Sequence, residues 1–193
     1  MIDDKASALV KLDAYNNKLR NAFNSVNQDE VVEILFSLIQ IRLSGARLFI
    51  AGNGGSASTG QHFSIDLGIG GIGRNSVIKS INLSDNQSAI TALANDKNFE
   101  SVFSAQLSIF GLSSDCLLVI SASGNSPNLI KVVKEAKSLG MKTLGFLGFD
   151  GGILRQICDQ SILVSTEKGD YGIVEDVHLS ICHNLTEALR NIS

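Results

Sequence analysis

The chain has 193 residues, 44% of them hydrophobic and 18% charged, with a net charge of −3 at neutral pH. That length and balance suit a globular protein with a substantial core and exclude wholesale disorder. Lysine and arginine are scattered rather than clustered, which argues against a nucleic-acid footprint or a basic membrane-binding face.

Residues 5–26 carry Leu9, Val10, Leu12, Ala14, Leu19 and Phe23 at roughly helical spacing on a polar background. Asn27 to Asp29 break this helix, and Val31 to Leu43 form a second, more apolar one. The period then changes. ARLFIAGNGGS reads as a short apolar strand entering a glycine-rich turn, and SASTGQHFSIDL resumes a helix. Ser76 to Leu83 is a strand candidate, and NQSAITAL and NFESVFSAQLSIF read as helices flanking Asn95 and Asp96. CLLVISASGNSPNLIKVVKEAKSLG repeats the strand, small-residue turn and helix. MKTLGFLGF is a further strand, GGILRQIC a short helix and SILVST a last strand, and Glu175 to Asn191 form an amphipathic closing helix.

Apolar strands alternating with helices predict an α/β fold with a doubly wound, mainly parallel five-stranded sheet. A single proline and the lack of a low-complexity linker predict one domain over 1–193, with a helical pair at 1–45 ahead of an α/β core at 46–193. The first helix would be poorly buried on a monomer, so an oligomer that packs it is expected. Cys116, Cys158 and Cys182 are an odd number, widely spaced in apolar contexts, and read as reduced core residues. No apolar run is long enough for a bilayer, and MIDDKASALVKLDAY lacks the layout of a signal peptide; a cytoplasmic protein is expected.

Two turns at strand ends share one character: GNGGSAS (52–58) and SASGNSPN (121–128). Glycines admit a ligand close to the backbone, the following helix N-terminus favours an anion, and serine hydroxyls add uncharged donors. Neither is a Walker A loop, and GNGGSA lacks the G-x-G-x-x-G spacing of dinucleotide folds. Good cap and turn residues would give the same composition. Two such turns in equivalent places favour a small phosphorylated ligand such as a sugar phosphate.

GNGGSAS, the helix with QHFSIDL, AND at 94–96, DCLLVISASGNSPNLIKVVKEAKSLGMK, GFDGG and a final helix with E-x-x-H-x-x-x-x-H together resemble the SIS (sugar isomerase) domain. More narrowly, they are similar to phosphoheptose isomerases, which interconvert sedoheptulose 7-phosphate and D-glycero-D-manno-heptose 7-phosphate. The resemblance runs in order over nearly the whole chain. It implies substrate contacts from Asn53, Gly54, Gly55 and Ser56, from Asn95 and Asp96, and from the phosphate loop Ser121, Ala122, Ser123 and Ser126, with Asp66 and Glu175 also at the substrate. It implies zinc, or another divalent metal, on His62, Asp66, Glu175 and His183, with Asp66 and His183 as acid/base residues. It further implies a homotetramer with active sites at subunit interfaces.

The residues themselves allow such a cluster. His62 and Asp66 lie about 40° apart on a helical wheel and share a face; Glu175 and His183 are about 80° apart, whereas His178 lies about 140° from His183. Two imidazoles and two carboxylates suit a divalent metal or proton shuttling, although an i,i+4 surface pair and two solvent-facing positions would read the same way. The chain departs from the family pattern at four places. Asp66 stands for Glu, Glu175 for Gln and Ala122 for Thr, and LGIGGIGRNS lacks the family's Gly-Arg-rich character, leaving Arg74 as the nearby cation. The loops are shared with non-catalytic SIS proteins similar to the factor that binds the replication initiator, and with sensors or isomerases of other sugar phosphates. Retention of the acid at 66 and the imidazole at 183 favours an enzyme.

Overall fold

The computed structural model describes residues 4–73 and 76–192. Two helices come first, α1 (Lys5–Asn24) and α2 (Gln28–Ser44). Asp4 and Asn27 cap them by accepting the backbone N–H of Ser7 and Asp29, and Gly45, left-handed at φ 68°, closes α2. The remainder alternates β1 (Arg47–Gly52), α3 (Gly55–Leu67), β2 (Lys79–Asn82), α4 (Gln87–Asp96), α5 (Ser104–Phe110), β3 (Cys116–Ser121), α6 (Pro127–Ser138), β4 (Lys142–Gly148), α7 (Gly152–Ile157), β5 (Gln160–Val164) and α8 (Tyr171–Asn191).

The five strands pair in the order β2-β1-β3-β4-β5, and every pairing is parallel rather than mainly so. Strand side chains alternate between two cores. Leu48, Ile50, Leu118, Ile120, Leu144 and Phe146 join α2, α3 and α8 on one face. Phe49, Ala51, Leu117, Val119 and Leu147 join α5, α6 and α7 on the other. The strand order reverses between β1 and β3, so their following helices, α3 and α6, leave toward opposite faces. The crevice between the two turns is where such a sheet binds ligands.

Three expectations shift in detail. The strand expected over 76–83 is regular only over Lys79–Asn82, and Ile78 binds back to Leu67 instead of a neighbouring strand. The helix expected over 98–110 is a 3₁₀ turn, Phe99–Ser101, followed by α5, because Val102 and Phe103 are drawn into the core between them. Asn95 and Asp96 form the last turn of α4 instead of lying between helices. Arg74 lies outside the described residues.

Much of α1 is under-buried: Leu9, Val10, Leu12, Tyr15 and Phe23 are exposed. Cys116 and Cys182 are buried, Cys158 is half-buried, and all three are free thiols. No helix among the described residues is long and apolar enough to cross a membrane.

His178 stands in the α8 core, fully buried, with Nε2 3.2 Å from the carbonyl of Leu147 and Nδ1 without a partner. Burial pushes its pKa down to about 4, against the smaller opposing effect of the Leu147 bond. The neutral ring must take up a proton on acid unfolding, so stability should fall as pH drops from about 6.5 to about 4, by about 1.4 kcal/mol per unit at most. Denaturant midpoints across this window should slope less steeply for His178→Gln than for the natural chain.

Candidate active site

The serine-rich turn after β3 is built by its own hydrogen bonds. The Gly124 N–H donates to Ser121 Oγ at 3.1 Å, and the Asn125 N–H donates to Ser123 Oγ at 3.3 Å. Asn125 also accepts from the Ile153 N–H, and the Leu154 N–H donates to Gly124, which fastens the turn to α7. Gly124 adopts φ +62°, and a side chain there would collide with the Gly151 carbonyl. Asn53 and Asn128 exchange two amide hydrogen bonds, 3.0 and 2.9 Å, that tie the first turn to the second. Asn128 is almost fully buried. Its role was missed from sequence; its place as the last residue of the second turn was the available signal.

The helices that follow are both uncapped by side chains: Gly54 precedes α3, and Ser126 precedes α6 with Pro127 at the first helical position. Their N-termini converge on a cavity of about 110 Å³ lined by Asn53, Ser56, Ser121, Ala122, Ser123, Ser126, Tyr171 and Glu175. Spare N–H groups, two helix dipoles and four serine hydroxyls suit this cavity to an anion. Behind the cavity residue Tyr171, Phe149 takes φ 54°, a strained value for a residue with a side chain, and its ring packs edge-on to Tyr171 at 5.0 Å.

α3 and α8 pack against one another, and further along them a second cluster forms. His62 Nε2 lies 3.1 Å from His183 Nε2 and 3.5 Å from Asp66 Oδ2, and His183 Nε2 lies 3.9 Å from the same oxygen. The protomer therefore brings its own His183 to His62 and Asp66. Three donor atoms on one point is a set able to hold a divalent metal, and it is the group that does so among the described residues.

Glu175 does not join that cluster. Eight residues separate it from His183, about 12 Å along the axis, so the two reach different parts of the crevice. The Glu175 carboxyl instead lies against the bare Cα of Gly55, where any side chain would collide with it. Asn95 and Asp96 are exposed and bond to each other at 2.9 Å. They do not line the serine cavity. The start of α8 is held by the N-terminal extension. The Tyr15 hydroxyl donates to Asp176 at 2.6 Å, which with burial pushes its pKa up to about 12, and Lys18 pairs with Asp170 at 3.0 Å.

The SIS-domain family profile matches residues 14–148. A phosphoheptose isomerase of Helicobacter pylori strain P12 is 35% identical over 180 residues, covering 91% of this chain and 90% of its own. One from Chlorobaculum parvum is 34% identical, covering 92% and 86%. The solved phosphoheptose isomerase of Neisseria gonorrhoeae superposes with a TM-score of 0.84 at 25% identity, over 98% of this chain and all of that one.

Burial, and secondarily the neighbouring Asp176, raises the pKa of Glu175. A raised carboxyl pKa means the fold prefers the protonated form, a stabilisation present at low pH and lost as pH climbs through the folded-state pKa. Glu175→Gln should therefore melt higher than the natural chain at pH 8, with the difference vanishing toward pH 4. Melting curves at the two pH values check this.

Proposed function

The chain belongs to the SIS-domain family, among its phosphoheptose isomerases, and on that premise we propose that it interconverts sedoheptulose 7-phosphate and D-glycero-D-manno-heptose 7-phosphate through a cis-enediol, for the heptose of lipopolysaccharide or capsule. The observation that carries this reading is the spacing of two sites along α3 and α8. The anion cavity lies at their N-terminal ends, at Ser56 and Glu175. The histidine–aspartate cluster lies two to three turns on, about 9 to 15 Å away along α3. A seven-carbon chain of bonds about 1.5 Å long, phosphorylated at one end and reactive at the other, spans a similar length.

The serine turn and the N-termini of α3 and α6 grip the phosphate, with Ser121 already engaged by Gly124 and Ser126 free of any capping bond. Asp66, half-buried, takes the proton between C1 and C2 as base, and His183 moves protons among the sugar oxygens. The two imidazole Nε2 atoms, 3.1 Å apart, stand within hydrogen-bond reach of one another, a path along which a proton can pass. Asp66 being shorter than the family's glutamate, the substrate must sit closer to α3; a misplacement of 1 Å can cost about a hundredfold in rate.

His62, Asp66 and His183 also fit zinc, as three protein donors with room for a fourth ligand. Bound there, the ion would polarise sugar oxygens. Association into a homotetramer, with active sites near the interfaces, is supported by the exposed apolar residues of α1 and would give Asn95 and Asp96 a neighbouring substrate to meet. We read the chain as one SIS unit. Its free thiols suit a reducing cytoplasm.

Purified protein assayed against a panel of aldose and ketose phosphates should turn over the heptose pair. Asp66→Asn and His183→Gln should each lower kcat by about 10² to 10⁴ while leaving the fold intact by circular dichroism; near-full activity in either variant would remove the mechanism. Metal analysis should find one zinc per chain, lost on chelation, and full activity in zinc-free protein would reject the metal assignment. Ser123→Ala should weaken binding of the sugar phosphate, and unchanged affinity would place the phosphate elsewhere.

A further inference from the structure

α3 and α8 run in a common direction, and their facing residues meet at a near-constant offset. Gly55 meets Glu175, His62 meets His183, and Gly70, just beyond α3, meets Arg190. The first two pairs belong to the anion cavity and the acid/base cluster. The third has no assigned role. A Cβ built on Gly70 would stand 2.9 Å from Arg190 Nη2 and 3.8 Å from Asp66 Oδ1. The guanidinium thus lies across the bare Cα of Gly70, four residues on from Asp66, whose Oδ2 faces both imidazoles. His183 and Arg190 are seven residues apart, about 20° on the helical wheel, so they share one strip of α8.

Arg190 is poorly satisfied for a half-buried cation. Its side chain is 23% exposed, and its one ion pair among the described residues is with Glu187 at 3.7 Å, a residue 68% exposed. Its Nε is buried with no acceptor. An unmet guanidinium donor in such a place costs free energy and calls for an oxygen ligand that the described residues do not provide. The fork of a guanidinium suits two oxygens in one plane.

We propose that Arg190 is a substrate-binding residue, whose Nη N–H groups take the adjacent C1 and C2 oxygens as negative charge develops on them in the enediolate. The assignment rests on the isomerase reading. As the proton leaves carbon for Asp66, its electron pair moves into the new carbon–carbon double bond and the carbonyl π pair onto oxygen, where Arg190 holds the charge until a proton arrives. Gly70 is the complementary requirement, because a methyl group there would push the guanidinium aside.

The test uses two probes on the full chain: inorganic phosphate, and a phosphorylated sugar hydroxamate whose planar oxygen pair mimics the enediolate. Arg190→Gln should lose about ten- to a hundredfold in hydroxamate affinity, the worth of one charge-assisted hydrogen bond. It should lose a similar factor in kcat with little change in KM, in phosphate affinity, in melting temperature or in assembly. Arg190→Lys should recover part of the loss. Gly70→Ala should show the same defect in the natural chain and none further in the Arg190→Gln background. Unchanged hydroxamate affinity in Arg190→Gln, with the natural chain active, overturns the assignment, as does a dissociated or destabilised Arg190→Gln protein. A natural chain that neither isomerises heptose phosphates nor binds the hydroxamate overturns the isomerase reading first.

Discussion

The side-by-side packing of α3 and α8 is the constraint on which the rest of the structure depends. α8 buries Val174, Val177, Ile181, Leu185 and Leu189 at helical spacing against the sheet, which fixes its rotation. α3 lies so close to β1 that a Cβ on Gly60 would approach Ile50 to 2.9 Å. With both helices seated by their apolar faces, their polar edges must meet, and everything placed on those edges converges without a dedicated loop. The cost is polar atoms at a helix–helix seam, tolerated because the seam opens to the crevice at the β1–β3 reversal.

The serine-lined cavity obeys a second constraint, close backbone approach. Gly148, at the end of β4, leaves only 2.5 Å between a would-be Cβ and Val174, and 2.7 Å to the Ala122 carbonyl. The serine turn, the end of β4 and α8 are thus pressed together at one point. The same crowding explains why Phe149 accepts a left-handed backbone: its ring is nearly fully buried and packed on Tyr171, which offsets a strain of about 1–2 kcal/mol. α1 contributes from outside. Tyr15 and Lys18 fix Asp176 and Asp170, the residues bracketing the turn of α8 that presents Tyr171 and Glu175. An extension whose apolar residues are largely exposed thereby also touches the frame of the serine-lined cavity.

Much of this was legible in the sequence because it follows from periodicity. Strand runs such as CLLVIS and helical faces such as that of α8 depend on local spacing alone, and the sheet's layering follows from their alternation. His62 with Asp66 was legible for the same reason, as an i,i+4 pair, and the exclusion of His178 followed from its angle. The illegible parts depend on length along an axis or on contacts between elements. Glu175 and His183 share a side of α8, but the helix rise takes them to different sites, a separation a wheel projection hides. The break before α5 comes from Phe103 finding the core, a tertiary contact that no local pattern encodes. Arg190 was hidden because a terminal arginine on an amphipathic helix usually marks a solvated face. Only the bare Cα opposite gives it away.

The two acidic departures from the family pattern bear on different ends of the substrate. At Asp66 the shorter side chain withdraws the proposed base toward α3, and Arg190, lying over Gly70 four residues on, adds a cation near that end. At Glu175 a carboxyl faces the same cavity as four serines. An ionised carboxylate there opposes a phosphate dianion, whereas a protonated one donates a hydrogen bond as an amide would. The raised pKa moves Glu175 toward the second behaviour, and its seat at the N-terminus of α3 tempers the first. The cavity therefore still suits an anion despite the extra acid, in keeping with the proposed placement of the phosphate at this end and the carbonyl at the other.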